Sequence, residues 1–380
     1  MRVRQIILII LSSFLLVSCI PTQEIEELGV IHTRGVDISE NGQYETTLVI
    51  FQFEKQSDNI TKVVSGKSNT IKGAVKNANL ETNLQLAPGK IELEVYGMDA
   101  AKSGIFPYLD TLSRDANLPD TTVLSISKNP AKDILTIQDK DVSKNIGQFL
   151  HGLIEEESKK GRYFPKVTIQ DFLSKFYDTG IDPILPMFEF DGDHPKISSI
   201  AIMQDDKYVG ERPADEILLF NLVKEKVRNK WLEVSIPMGP FEKHIEKETN
   251  IGKRKEILHT AFNIVNSRGT TRLVDKSNLQ FETKIMLEVN LFEMSERVLL
   301  NNPKVVKLIE KEVENKLTAQ YEEILEQLQE QNADPFGYGA IYRIHQKDGK
   351  LVRKDWREMY PTIKVDFKIK TKIIRHGTID

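Results

Sequence analysis

The chain opens with a nearly unbroken apolar run from Ile6 to Val17, interrupted only by Ser12 and Ser13. The run is too short to cross a bilayer, which takes about 20 apolar residues. Two cations, Arg2 and Arg4, precede it, and no acid occurs before Glu24. A positive start followed by an apolar run of this length is the pattern of an export leader, over residues 1–18. Beyond it the periodicity changes. Tyr44 to Phe53 is rich in β-branched and aromatic residues and predicts a strand, with Asn41-Gly42 ahead of it as a hairpin signal. Thr70 to Gln85 predicts a helix ended by Pro88-Gly89, after which Ile91, Leu93 and Val95 alternate as a strand. Asp99 to Asp115 predicts a helix, Thr121 to Ser127 a strand, and Ser143 to Lys159 and Thr168 to Tyr177 two further helices. Strands alternating with helices give a mixed α/β unit over residues 29–195.

Ile181-Asp182-Pro183-Ile184-Leu185-Pro186 predicts an extended segment, because each proline disfavours a helical residue before it. The loop Gly192 to Pro195 then marks a boundary near residue 195. A strand over Ile197 to Met203, a turn at Asp205-Asp206, a short strand ending at Gly210 and a helix from Pro213 to about Lys230 follow. Residues 196–265 read as a small middle unit with a polar connector, and 266–380 as an α+β unit. In the latter, Phe281, Thr283, Ile285, Leu287, Val289 and Leu291 alternate with polar positions as a half-buried strand. Pro303 opens a long helix to about Gln331. Its stripe is Val306, Ile309, Val313, Leu317, Tyr321, Ile324 and Leu328. Ile363, Val365, Phe367 and Ile369 alternate with polar positions again. The fold class expected is α+β, with a C-terminal antiparallel sheet packed on long helices.

Composition narrows the function. Charged residues make up 28% and apolar residues 40%, as in an ordinary globular protein. The net charge is -4, and losing Arg2 and Arg4 with the leader makes it more negative by two. No basic excess points to nucleic acid or to electrostatic membrane binding. Cys19 is the sole cysteine, so no internal disulfide can form. The tetrad Leu16-Val17-Ser18-Cys19 resembles the lipobox of bacterial lipoproteins, with cleavage between Ser18 and Cys19. Only a thiol can become the thioether that carries a diacylglyceryl group, and cleavage frees the Cys19 amine for N-acylation. Residues 19–28 then form a tether.

Other constellations do not assemble. No two histidines lie three to five residues apart, so no metal site is expected. Gly66-Lys67-Ser68 lacks the glycine five residues upstream that a phosphate loop needs, since Thr61 stands there. No Gly-x-Ser-x-Gly elbow or Cys-His pair exists, so no catalytic residue is assigned. Phe336 and Tyr338, in Asp334-Pro335-Phe336-Gly337-Tyr338-Gly339, are candidate partner contacts, because aromatics are favoured at interfaces.

Taken in order, these landmarks resemble the C-subunit lipoproteins of spore germinant receptors, the Ger(x)C family. The residues carrying the resemblance are Cys19, Gly35-Val36-Asp37, Thr168 to Leu173, Gly180-Ile181-Asp182-Pro183, Leu185-Pro186, Ile200 to Gly210, Ala333 to Gly339 and Trp356. The chain departs from the family at Ile20-Pro21, where members often carry an aromatic. The resemblance implies three mixed α/β domains, no cofactor and no catalysis. It also implies lipid anchoring at the outer face of the spore inner membrane, beside integral membrane A and B subunits that respond to small nutrients. Two other classes stay open on the residues alone: an extracytoplasmic solute-binding lipoprotein and a membrane-anchored cell-wall hydrolase.

Overall fold

Runs of β-branched and aromatic residues fit a pleated surface buried on one or both sides, and they set this architecture. The computed structural model describes residues 25–53, 61–114, 119–137, 145–159, 164–190, 192, 194–245 and 256–376. The leader, Ser18, Cys19 and the start of the tether lie outside the described residues.

These residues build two sheets. The first begins with an antiparallel meander of β1 (Leu28–Ile38), β2 (Tyr44–Phe51) and β3 (Thr61–Ser68). Helix α1 (Ile71–Asn79) follows, started by Thr70, whose hydroxyl accepts the Gly73 N–H at 3.1 Å. Then come β4 (Gln85–Ala87) and β5 (Leu93–Gly97), both parallel to β1. Helices α2 (Met98–Ser103) and α3 (Phe106–Ser113) lead to β6 (Val123–Ser127). Helices α4 (Ala131–Leu135), α5 (Ile146–Lys159) and α6 (Ile169–Tyr177) lead to β7 (Ile184–Glu189), β8 (Lys196–Gln204) and β9 (Lys207–Pro213). The strand order is β3-β2-β1-β5-β6-β7-β8-β9, with β4 also on β1. The central strands β1, β5, β6 and β7 are parallel. Strands β5 and β6 are buried at every position, which is why their text runs apolar instead of alternating. One face packs Tyr96, Leu124 and Met187 on Ile105, Leu109 and Phe172. The other packs Leu93, Val95 and Val123 on Ile134, Leu150 and Ile154.

The second sheet has the order β10 (Lys230–Pro237), β11 (Ile257–Asp275), β12 (Gln280–Met294), β13 (Lys364–His376). Residues 196–265 divide between the sheets: β8 and β9 extend the first, while β10 and the start of β11 belong to the second. Between them lies α7 (Ile217–Lys224), with Ile217, Leu218, Leu219, Phe220, Leu222 and Val223 all buried. A helix apolar on every side has to be enclosed, and here both sheets enclose it. Ile184, Ile200 and Ile202 of the first sheet join the same core as Phe262, Phe281 and Ile285 of the second.

Helix α8 (Pro303–Glu330) lays Ile309, Val313, Leu317, Tyr321, Ile324 and Leu328 into that core. It is followed by α9 (Tyr338–Ile344) and α10 (Arg353–Met359). The C-terminal sheet is antiparallel through β10, β11 and β12, but β13 runs parallel to β12. Alternation reads the same in either direction. The connection decides, and a long helical crossover returns the chain to the starting end of the strand, as parallel pairing requires. Some boundaries also differ from the expected ones. The helix expected over 99–115 is two, broken at Gly104-Ile105, and the one expected to reach Lys230 stops at Lys224. On α8, Val305 is buried, while Val306 is only half-buried.

Leu317→Ala is expected to lower stability by about 2–5 kcal/mol through loss of burial and a residual cavity. Val306→Ala should cost less than about 1 kcal/mol. Urea unfolding of both variants checks this ordering.

Candidate functional site

The landmark segments, far apart in the chain, meet at one buried polar centre. Pro183 holds the preceding residue extended, which directs Asp182 inward, where it is 3% exposed. Its Oδ1 accepts the Asp205 N–H at 2.9 Å and an Arg357 Nη2–H at 2.5 Å. Its Oδ2 accepts the Asp334 N–H and an Arg357 Nη1–H, both at 2.6 Å. The pairing with Arg357 is therefore the bidentate fork that a planar guanidinium and a carboxylate form best. Arg357 also donates to Asp205 Oδ1 at 2.8 Å and to the Asn332 carbonyl at 2.8 Å.

Asp334 lies one step deeper and is fully buried. Its carboxylate accepts the backbone N–H groups of Gly337, Tyr338 and Gly339 at 2.8, 3.1 and 2.8 Å, and the Trp356 indole N–H at 3.2 Å. It thus satisfies the first turn of α9, whose N–H groups have no helical partner. The backbones of the two acids are tied as well, since the Asp182 N–H donates to the Asp334 carbonyl at 3.0 Å.

Gly180 and Gly339 explain why this junction needs glycine. A Cβ on Gly180, whose φ is +103°, would lie 2.3 Å from the Gly339 carbonyl carbon. A Cβ on Gly339 would lie 2.5 Å from Gly180 Cα and 2.6 Å from the Trp356 ring. The two chains therefore touch backbone to backbone, and the Ala340 N–H donates to the Gly180 carbonyl at 2.9 Å. The Asp205-Asp206 turn is the third arm. Asp205 takes Arg357 and, at 3.1 Å, Arg353, while Asp206 Oδ2 accepts the first N–H of α3, from Phe106, at 3.0 Å.

The electrostatics follow from burial. Burial pushes the Asp334 carboxyl up to about 6, against the opposing pull of the Gly339 N–H. Burial acts to lower the Arg357 pKa, but the bonds and charge of Asp182 outweigh it and hold it above its ordinary value. Lys224 donates to the Pro335 carbonyl. Burial and the nearby Lys175 bring its pKa down to about 8. Every side-chain oxygen of Asp182 and Asp334 faces a protein donor, so the arrangement binds segments of the chain to one another. Among the described residues no group of three or more His, Cys, Asp or Glu side chains is placed to hold a metal ion.

Phe336 and Tyr338, the candidate partner contacts, are 3% and 0% exposed. Phe336 stacks on Phe220 at 5.1 Å. Tyr338 meets Phe281 edge-on at 5.1 Å, its hydroxyl 3.1 Å from Thr283 Oγ1. Both rings fill the core because Asp334 turns the chain inward there. The sequence reading missed an aromatic pair that is exposed: Trp231 on β10 and Phe292 on β12, stacked at 5.5 Å. They lie on strands separated by β11, and only the register of the sheet brings them together.

Two family models match the chain: the spore germination protein N-terminal domain over residues 21–190, and the spore germination B3/GerAC-like C-terminal domain over residues 198–377. The chain belongs to this family of spore germination proteins. Within it, the chain is a member of the Ger(x)C group, the germination receptor C-subunit family. It is 21% identical to the spore germination protein GerQC of Bacillus cereus, over 99% of each chain. It is 24% identical to the spore germination protein KC of Bacillus subtilis, over 98% of this chain and 95% of that one. The crystal structure of the GerBC protein shares the fold, with a TM-score of 0.52 at 15% identity over 90% of this chain and 97% of that one.

Asp182→Ala is expected to cost about 3–5 kcal/mol, because it leaves the Arg357 guanidinium buried without its partner. Replacing both residues by apolar ones should cost well below the sum of the single changes. A double-mutant cycle read by urea unfolding measures the difference.

Proposed function

We propose that this chain is the lipid-anchored, non-enzymatic C subunit of a nutrient germinant receptor, assembled with integral membrane A and B subunits at the outer face of the spore inner membrane. The observation that carries the reading is the leader ending in Leu16-Val17-Ser18-Cys19 ahead of two matched family domains. Among the described residues no helix is long and apolar enough to cross a membrane. In this reading Cys19 carries the attachment. Each buried acyl methylene contributes about 0.8 kcal/mol, and two chains hold where one is marginal. Tethering confines the domains to the membrane plane and raises their effective concentration toward membrane partners. The outward Trp231-Phe292 pair supports contact with a protein partner, since exposed aromatics are enriched at interfaces.

The test is Cys19→Ala in the native host. The variant is expected to appear uncleaved or unlipidated by mass spectrometry, to leave the spore membrane fraction, and to slow nutrient-triggered germination while germination by a non-nutrient route continues. A wild-type protein with an unmodified thiol, or full nutrient germination in the variant, contradicts the proposal.

A further inference from the structure

The second sheet buries one face in the shared core, and the alternate positions of its strands point the other way. That outer face combines an apolar anchor with a field of positive charge. The anchor is the Trp231-Phe292 stack, its members 50% and 62% exposed. Sheet register runs from Trp231 through Asn263 and Asn290 to Arg375, so Arg375 and the exposed Ile374 belong to the same end of the face. Single exposed apolar residues are ordinary, but a stacked pair on an open sheet face is the kind of cluster that carries binding energy.

The chain as a whole is acidic, with a net charge of -4, yet this face is basic. Strand β13 places Lys364, Lys368, Lys370 and Lys372 on exposed positions, and Arg268 of β11 and Lys284 of β12 stand exposed beside them. The acids there are Glu233, Glu282, Glu288, Glu293 and Asp366. Glu282 is held by Arg272 at 2.8 Å and by Lys368, which also pairs with Asp366 at 3.2 Å. Lys372 and Arg375, nearest the aromatic end, enter no ion pair among the described residues. A one-sided field of this kind steers and selects a partner of opposite charge. The edge of β13 is closed to an added strand. Thr371 and Ile373 donate their N–H groups to Glu314 Oε1 at 2.9 Å and Glu310 Oε1 at 2.8 Å, both from α8. A partner therefore meets the face of the sheet and not its edge.

We infer that the outer face of the second sheet docks an acidic segment of a protein partner, with an apolar side chain of that segment on the Trp231-Phe292 stack and its carboxylates on Lys372, Arg375 and the lysines of β13. The inference rests on the reading that the chain works beside protein partners, and it names the surface and the chemistry of the contact. A protein segment fits better than an anionic bilayer. Glu233, which accepts the Trp231 indole N–H at 3.3 Å, and Glu293, next to Phe292, flank the stack. Anionic headgroups would repel both, whereas a folded partner can set a donor against each.

The test is photo-crosslinking of the full chain in its native host, with the photoreactive p-benzoylphenylalanine at Phe292 and, as a control, at the exposed Leu80 of the first sheet's unit. Irradiation is expected to give a protein adduct from position 292 that position 80 does not give. Mass spectrometry of the crosslinked peptide should show more Asp and Glu than Lys and Arg. Lys372→Glu combined with Arg375→Glu, both at exposed positions, should lower the adduct yield at least about tenfold. The reversed variant should keep its membrane attachment, so loss of the adduct is read apart from loss of the anchor. A chain found without lipid that still forms the acidic adduct would sink the anchoring proposal and uphold this contact. Adducts to lipid alone or to a second copy of the chain overturn the inference. So do a contact peptide without acidic excess, an undiminished yield after charge reversal, or no adduct from position 292.

Discussion

The bidentate pair between Asp182 and Arg357 is the constraint on which the rest of the molecule depends. Asp182 belongs to the segment entering β7 of the first sheet, and Arg357 to the helix just before β13 of the second. A buried ion pair is a poor source of net stability, because desolvation of both charges offsets much of their attraction. Its value is specificity. Asp182 accepts four N–H bonds from three separate parts of the chain, so only one relative placement of those parts satisfies it. The apolar core that spans both sheets through α7 supplies the driving force, and the polar centre fixes the register in which that core closes.

The sequence made much of this fold legible, for reasons that lie in particular residues. Strand β12 alternates from Phe281 to Leu291 because one face is buried and the other solvated. Helix α6 opens with Thr168 and Asp171 in a reciprocal capping box, which the residues spell out. The family landmarks were legible as separate pieces, including Gly180 to Pro183, Ala333 to Gly339 and Trp356. That they converge was not, since their meeting spans more than 150 residues of chain and depends on both sheets. Strand β11 was missed for a related reason. It carries an extra residue at Val265 and at Val274, where the register shifts between Ile264/Asn266 and Leu273/Asp275, and each breaks the two-residue rhythm. Its second half is mostly polar text, although Ser267 is buried and Leu273 packs against the core. The parallel direction of β13 is likewise a property of the connection through α8 and not of the strand's own residues.

In the proposed reading the anchor precedes β1, a central strand of the first sheet. The polar centre lies at the junction of the segment before β7, the β8-β9 turn and the C-terminal helices. Charge is also managed at the free edge of the second sheet, where Lys368 pairs with Glu282 at 2.5 Å and Lys370 with Glu314 at 3.2 Å. Charged edge strands of this kind resist pairing with another chain.

The central claim is that the shared core and its buried polar centre make the two sheets a single cooperative body. Differential scanning calorimetry of the full chain tests it most directly. The account predicts one unfolding transition, with the calorimetric and van't Hoff enthalpies equal. Two resolved transitions, one for each sheet, would contradict it.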